Sequence, residues 1–526
     1  MDQTKTSLLE ETLQTAEGKQ WFGHPRGLFY LFFAELWERF SFYGMKAMLV
    51  VYMTDHLLYS DAMSFGIFAA YGSLVYATPP LGGMIADKIL GYRKAIFLGG
   101  ILMAIGHLTL SVEHPIFFYG SLALIVIGNG FFKPNISSMV GAIYKKQPGK
   151  IDSGFTIFYL GINLGGMIAP LLCAWLGMTY GWHYGFGLAG VGMVFGLLFF
   201  QGGTKSNVFG EEGNEPKSAQ TGNGKKIMGL NGKVVIGSVL AVPLVAGLIF
   251  FHEYEHYLMI AVTAVLALVI AKIFRESSST ERSRLMAALY FTFLATVFWA
   301  VFEQAGSSIT LFAKRNVELL GINAAQTNSI NSTFIIMLCL PFAFLWTFLS
   351  KIKRNPATPI KFAVGLVAVG IGFVIFASSA REVNELARTP MFFLLFGYFI
   401  YTVGEMFISP VGLAKITELS PAKYVSFIMG VWFIAASFGH FFAGIIARLT
   451  ASGSEAPAWM NSSFMKSYTQ TVTGLDGEQV AGMGEGFQQL YTYVSTYAAV
   501  GLITIALGLL ALAATPVVKK WMKGVH

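Results

Sequence analysis

The segment AELWERFSFYG, residues 34 to 44, places charged side chains inside a stretch that is otherwise apolar enough to span a membrane. At 100° per residue, Glu35, Glu38, Arg39, Tyr43 and Lys46 fall on one helical stripe about three turns long. An ion pair of Glu35 with Arg39 would account for only two of these positions. Charge in the hydrocarbon layer is costly, so the whole stripe must face a bundle interior or a water-filled cavity, which favours an ion or substrate pathway.

Other apolar stretches carry further ionisable residues. Lys133 precedes Pro134 in GNGFFKPNISS, Glu303 lies in FWAVFEQAGSS, and Glu405 lies in VGEMFISPVG, one turn before Ser409. A lone glutamate within a membrane can be a protonated packing residue. Two glutamates in the second half of the chain, opposite the cations of the first half, instead predict a central polar cavity that can hold both ends of a zwitterion.

Composition limits the class of protein. Of 526 residues, 55% are apolar and only 12% are charged, which is too little charge to cover a soluble protein of this length. The two cysteines lie in apolar stretches and give no sign of a disulfide framework or a Cys-rich metal site. A net charge of +8 could suggest nucleic acid or anionic lipid as a partner, but the placement of the basic residues indicates membrane topology instead. The sequence therefore predicts an all-α polytopic membrane protein.

The elements that must position these side chains are fourteen apolar stretches, from 27–54 to 490–515. Of the 36 Lys and Arg residues, 27 fall in segments on one side and six in loops on the other, which predicts that both termini are cytoplasmic. The arrangement of six, two and six helices indicates two bundles with an inserted hairpin, a common transporter plan. The predicted parts are a cytoplasmic tail (1–26), a six-helix bundle (27–201), a flexible cytoplasmic linker (202–232), a helical hairpin (233–274) and a second six-helix bundle with a cytoplasmic tail (275–526).

Several motifs resemble the proton-coupled oligopeptide transporter family of the major facilitator superfamily. Residues 35–44 match its first-helix signature, E-x-x-E-R-F-x-Y-Y-G, except at Phe42. FTIFYLGINLGGMIAP, residues 155–170, resembles its second signature. GGMIADKILGYRKAI, VFEQAGSSITLFAKR and VGEMFISPVGLAKITELSP resemble further family motifs in the expected order. The resemblance runs from the first helix to near the end of the chain, and the hairpin resembles the fourteen-helix bacterial members. It implies the major facilitator fold.

The resemblance also implies a function: a proton-driven symporter that imports di- and tripeptides across the bacterial inner membrane by alternating access. Arg39 and Lys133 would bind the peptide carboxylate, Glu405 would bind the amino terminus, and Glu303, facing Lys46, would carry the proton. Glu35 and Glu38 would be the partners of Arg39 and Lys133 in proton coupling. The family's other substrate positions fall on Tyr43, Tyr71, Tyr159, Asn163, Trp299, Asn331, Ser409 and Trp432, and its cytoplasmic gate on Asp87, Arg93 and Lys94.

Two positions depart from the family pattern. Phe42 lacks a hydroxyl that members often have, and Lys46 stands where arginine is more usual. Lysine keeps the charge but loses the planar fork, so its pair with Glu303 should break more easily. His107 and His440 are single histidines on apolar faces, for which packing is the default prediction.

Alternative functions stay open at this stage. The same fold could carry another small solute, such as nitrate or a peptide-like compound, although Glu405 would have no amine to pair with on nitrate. A channel is a further alternative. The sequence has no phosphate-binding glycine loop and no Ser-His-Asp order, so we expect neither ATP-driven transport nor an enzyme. Protons as the coupling ion and membrane lipids are the expected partners, with no cofactor, metal, nucleic acid or obligate protein partner.

Overall fold

The computed structural model describes residues 20–145, 147–216 and 226–525, and their regular structure is almost entirely helical. Helices α1 to α7 are Arg26–Asp55, Asp61–Ala77, Pro79–Ile85, Gly91–Leu110, Pro115–Ile143, Ile151–Tyr180 and Trp182–Lys205. Helices α8 to α18 are Gly232–Phe250, Glu255–Glu276, Ser279–Phe302, Ser308–Asn316, Ser329–Lys351, Thr358–Ser378, Met391–Leu419, Val425–Arg448, Ser463–Thr473, Gly477–Val480 and Glu485–Met522. Short strands pair β1 (Gln20–Trp21) with β2 (His24–Pro25), β3 (Lys226–Ile227) with β4 (Leu230–Asn231), and β5 (Val317–Glu318) with β6 (Thr389–Pro390).

The helices are long and apolar enough for a protein that crosses the membrane many times. Twelve stretches within the described residues meet that criterion, and one of them, Asp61–Leu110, covers both the second and the third predicted spans. Helix α1, which carries the charged stripe, is not among the twelve although it extends over 30 residues. The chain is a polytopic membrane protein, and the count of fourteen spans stays a prediction.

The described chain forms two compact units. The first contains residues 20–45, 78–169 and 183–246, and the second contains 46–77, 170–182 and 247–525. The end of α1 and the whole of α2 thus belong to the second unit, because α2 packs closely on α15: a Cβ added at Gly444 would overlap Ala69. The predicted limits of 27–201 and 275–526 remain a sequence-based hypothesis. Most of the predicted N-terminal tail lies outside the described residues.

Within each unit, glycines bring helix backbones into direct contact. In the first unit, a Cβ at Gly128 of α5 would lie 2.6 Å from the Gly99 carbonyl oxygen of α4. In the second unit, a Cβ at Gly370 of α13 would lie 2.8 Å from the Gly501 carbonyl oxygen of α18. Small residues at such crossings are how membrane helices gain packing contacts that lipid cannot supply.

The region after α7 differs from the flexible linker predicted for 202–232. Residues up to Lys205 continue the helix, and the following turns pack against the first unit. Phe209 is 2% exposed and stacks on Phe200, with ring centroids 5.7 Å apart. Strands β3 and β4 then lead into α8, while residues 217–225 lie outside the described chain. The polar composition concealed an aromatic anchor at Phe209.

The close contact at Gly370 predicts a stability effect. Gly370→Ala should force α13 away from α18 and lower the free energy of unfolding by about 1–3 kcal/mol, the usual cost of overpacking. The matched control is Gly247→Ala, because a Cβ there meets no atom within 4 Å. Thermal unfolding of the purified protein in one detergent measures both variants. Equal midpoints for the two would contradict the close backbone contact.

Candidate functional site

The first unit contains a buried charge cluster on α1. Arg39 Nη2 donates to Glu38 Oε1 at 2.6 Å, and its Nε contacts Glu38 Oε2 and lies 3.4 Å from Glu35 Oε1. All three residues are at most 2% exposed. Lys133 of α5 attracts the Glu35 carboxylate, which gives the cluster a second cation. Two carboxylates and two cations balance in charge, as burial in a membrane requires.

Helical geometry and close packing fix this cluster. The spacing of Glu35 and Arg39 places them one turn apart on the same face of α1. Gly165 of α6 lies so close to α1 that a Cβ there would meet the Arg39 side chain. The guanidinium also lies over the rings of Phe42 and Tyr43, 5.0 Å and 5.8 Å from their centroids. Phe42 therefore keeps a cation–π contact without a hydroxyl.

Two further predicted substrate residues lie in the first unit on α6. Asn163 Nδ2 donates to the Tyr159 carbonyl oxygen at 3.0 Å, one turn earlier in the helix. Asn163 is 5% exposed. In this conformation one amide hydrogen is used within the helix, and the rest of the amide remains a hydrogen-bonding group of the kind that a peptide backbone could use.

The second unit contains a carboxylate with two partners. Lys46 Nζ donates to Glu303 Oε2 at 2.7 Å, and His440 Nε2 of α15 lies 3.4 Å from Glu303 Oε1. Glu303 begins a 3₁₀ segment, Glu303–Gly306, where the helical pattern of α10 gives way to α11. The Tyr401 hydroxyl donates to the Phe302 carbonyl oxygen at the same junction. Sequence analysis missed His440, since no spacing rule connects residues so far apart in the chain.

A second carboxylate in this unit belongs to α14. Asn331 Nδ2 of α12 donates to Glu405 Oε2 at 3.0 Å and to Thr402 Oγ1 at 3.1 Å. Glu405 is 7% exposed and interacts electrostatically with Glu303. The Ser409 hydroxyl, one turn after Glu405, has no hydrogen-bond partner within the described part of the chain. Asn331 thus holds one oxygen of the Glu405 carboxylate in place.

The predicted aromatic positions of the second unit pack on its helices. Tyr71 of α2 is buried. The indole of Trp299 meets Phe302 edge to face, with centroids 5.3 Å apart. Trp432 of α15 lies so close to Gly412 of α14 that a Cβ there would overlap the indole. The positions of these rings are therefore set by glycines and by neighbouring rings.

The three predicted gate residues of the first unit do not pair with one another. Asp87, in a π-helical turn, Ala86–Leu90, interacts electrostatically with Tyr92. Arg93 donates from Nε to the Glu212 carbonyl oxygen at 2.8 Å, and Lys94 Nζ donates to Glu215 Oε1 at 2.5 Å. The basic residues thus hold the segment that follows α7.

A surface ion pair nearby also contacts the segment that follows α7. Lys145 Nζ donates to Glu212 Oε2 at 2.8 Å, and this hydrogen bond raises the pKa of Lys145. The residue is exposed, so solvent screening makes its contribution to stability small.

Known proteins resemble this chain over most of its length. Residues 93–468 match a family model described as the POT family. The chain belongs to the POT family. Its members are transporters rather than enzymes. In the described residues, no group of three or more His, Cys, Asp or Glu side chains could hold a metal ion.

Individual relatives in this family extend the comparison. The uncharacterized transporter YclF of Bacillus subtilis is 34% identical, with 98% of this chain and 99% of YclF covered. The peptide transporter YePEPT of Yersinia enterocolitica is 35% identical over 83% of this chain and 90% of its own length. A peptide transporter POT solved in complex with alafosfalin has a TM-score of 0.78 and 30% identity, covering 97% of this chain and 98% of its own.

The buried cluster on α1 predicts unequal roles for its two carboxylates. Glu38→Ala should destabilise the protein by about 3–5 kcal/mol, because it leaves the Arg39 charge without its closest partner. Glu35→Ala removes the longer contact to Arg39 and the attraction of Lys133, but it leaves Arg39 both of its short contacts with Glu38, so it should cost less. Unfolding midpoints in detergent compare the two. A larger loss for Glu35→Ala would refute this ranking.

Proposed function

We propose that this chain is a proton-driven symporter that imports di- and tripeptides across the bacterial inner membrane by alternating access, with both termini cytoplasmic. The observation that carries the proposal is the ion pair of buried Glu303 with partly buried Lys46, because this acid can exchange a cation for a proton. The named peptide transporters among its relatives support peptides as the substrate class.

A proton is a suitable driving ion for this substrate. A peptide zwitterion has no net charge, so the membrane potential alone cannot concentrate it. A proton that travels with it contributes about 2.3 kcal/mol per 100 mV and about 1.4 kcal/mol per pH unit. Together these could support roughly 500-fold accumulation.

The charge cluster on α1 is suited to the peptide carboxylate. In our proposal, Arg39 and Lys133 bind that carboxylate. The peptide carboxylate then replaces Glu38 and Glu35 in part as the anionic partner of these two cations. Each buried cation keeps an anionic partner during this exchange. The cost of leaving a buried charge without a partner is therefore avoided. The planar fork of arginine favours a carboxylate as its new partner.

Glu405 binds the peptide amino terminus in the same proposal. Its Oε2 is held by Asn331, which orients the carboxylate and leaves its other oxygen for an ammonium group. Asn331 and Asn163 also offer amides to the peptide backbone. Side-chain pockets are formed by Tyr43, Tyr71, Tyr159, Trp299, Ser409 and Trp432, and the cytoplasmic gate by Asp87, Arg93 and Lys94.

Glu303 carries the coupling proton. Protonation removes the negative charge that holds Lys46, so the two states of the pair favour different arrangements of the helices around it. Lysine makes a single-point contact and releases more readily than a bidentate arginine would. Coupling then follows if the arrangement that binds the peptide is also the one that favours protonated Glu303.

A peptide-like compound is the second candidate substrate. Solved POT structures of comparable fold contain alafosfalin and 5-aminolevulinic acid, with TM-scores of 0.78 and 0.74. Glu405 favours substrates with a positive group over nitrate.

Uptake into liposomes tests the proposed function. Labelled di-alanine is offered to purified protein with the outside acidic and the interior negative, and an ionophore-treated sample is the control. We expect accumulation above the outside concentration that the ionophore abolishes and that unlabelled tripeptide, but not alanine or nitrate, competes away. Absence of uptake by folded protein would overturn the peptide assignment.

The role of Glu405 predicts a selective loss of affinity. Glu405→Gln should weaken binding of free-amine dipeptides at least about tenfold, because it removes a charged partner worth 1.4 kcal/mol or more. N-acetylated dipeptides, which lack the ammonium group, should bind almost as before. Competition against a labelled peptide measures both. An equal loss for the two ligands would exclude amino-terminal recognition by Glu405.

The role of Glu303 predicts that its substitution affects gradient-driven accumulation but not peptide exchange. Glu303→Gln should abolish accumulation driven by the proton gradient, since the amide cannot take up or release a proton. Exchange of labelled for unlabelled peptide at equal concentrations should persist. Accumulation that survives the substitution would assign the proton to another group.

A further inference from the structure

We propose that His440 binds the coupling proton together with Glu303, so that the proton site consists of an imidazole and a carboxylate. This deepens the proposed function and rests on it. The sequence gives His440 only a packing role, whereas the structure brings its ring to the carboxylate.

The two oxygens of Glu303 have different partners. Lys46 Nζ lies 2.7 Å from Oε2, and His440 Nε2 lies 3.4 Å from Oε1. His440 is 2% exposed and Glu303 is 6% exposed. The imidazole and the ammonium group can therefore hold the same carboxylate at once, or either can hold it alone.

Neighbouring helices fix the orientation of the His440 ring. Its Nδ1 lies so close to Gly72 of α2 that a Cβ there would overlap the ring. The Tyr76 ring stacks on it, with centroids 5.1 Å apart and planes at 26°. The preceding residue, Gly439, lies directly against Trp299. This packing leaves the imidazole aimed at Glu303.

The charges around the ring make a second proton acceptor useful. The titratable and charged groups around the ring are Glu303, Lys46 and Tyr76, and Glu405 and Tyr401 interact with Glu303 electrostatically. When Lys46 leaves the carboxylate, a buried anion would remain unless another cation replaces it. A protonated His440 is that cation.

The proton balance of this step is simple. A neutral imidazole carries one N–H, and uptake adds a proton to its other nitrogen without breaking another bond. The resulting imidazolium pairs with the Glu303 carboxylate, or it passes the proton to an oxygen and becomes neutral again. In either case the pair holds one transported proton, and Lys46 is free to exchange partners.

His440→Gln separates proton binding from positioning. Glutamine can still donate a hydrogen bond to Glu303 but cannot bind a proton near neutral pH. We expect the proton concentration for half-maximal gradient-driven uptake to rise about tenfold, equivalent to about one pH unit. Peptide exchange at equal concentrations should be retained. His107→Gln is the matched control, because His107 is a fully buried histidine of the first unit.

An unchanged pH profile in His440→Gln would overturn the proposal and leave His440 as a positioning residue, while proton-driven uptake itself could stand. Loss of all transport by folded variant protein would also overturn it, because only the proton dependence should move.

A transport-independent measurement keeps the proposal falsifiable if that variant does not fold. The chain has nine histidines, and ¹⁵N-labelled histidine reports the protonation of each ring in detergent. The His440 resonance is assigned by its absence in His440→Gln or, failing that, in His440→Asn. We expect it to titrate between about pH 4 and pH 9, and its midpoint to move in Glu303→Gln. A resonance that does not titrate would exclude proton binding, even if peptide uptake is proton-driven. Titration without peptide uptake would support the shared proton site and reject the peptide substrate.

Discussion

The constraint on which this structure depends is that a charge removed from water must have a partner. Arg39 is held by Glu38 and Glu35, and Lys46 is held by Glu303. Such pairs add little net stability, because both partners lose their hydration, but losing one partner is expensive. A buried ion pair is therefore a switch that responds to anything able to replace one member. In the proposed function, the two agents that do so are a carboxylate-bearing substrate and a proton.

The packing of the helices makes those exchanges specific. Glycines such as Gly99, Gly128 and Gly370 let backbones touch, so the side chains of each unit are carried on closely packed helices. Glu303 lies where this regularity changes, in a 3₁₀ segment between two α-helices. Such mid-helix segments often mark hinges. The carboxylate that we propose exchanges partners thus lies where the backbone departs from the α-helical pattern.

Much of the fold and part of the site could be predicted from the sequence. Periodicity is local, so the stripe of Glu35, Glu38 and Arg39 on α1 could be read directly, and hydropathy indicated the helical membrane fold. Contacts between distant segments could not be derived this way. The hydrogen bond of Asn331 to Glu405, the approach of His440 to Glu303 and the packing of Phe209 all depend on tertiary structure. The polar composition of residues 202–232 also concealed the packed segment, because a single buried aromatic residue hardly changes the mean polarity of that segment.

Lys46 and His440 are best understood as one arrangement. A lysine ammonium group is a point donor, and at Oε2 it leaves Oε1 of Glu303 available to the imidazole. An arginine at position 46 could bind both oxygens through its planar fork and would compete with His440 for the second. The lysine that stands at position 46 in place of the family's usual arginine is therefore compatible with the contact between His440 and Glu303. Glu303 contacts a second partner, the His440 imidazole, at the oxygen that a bidentate arginine could occupy.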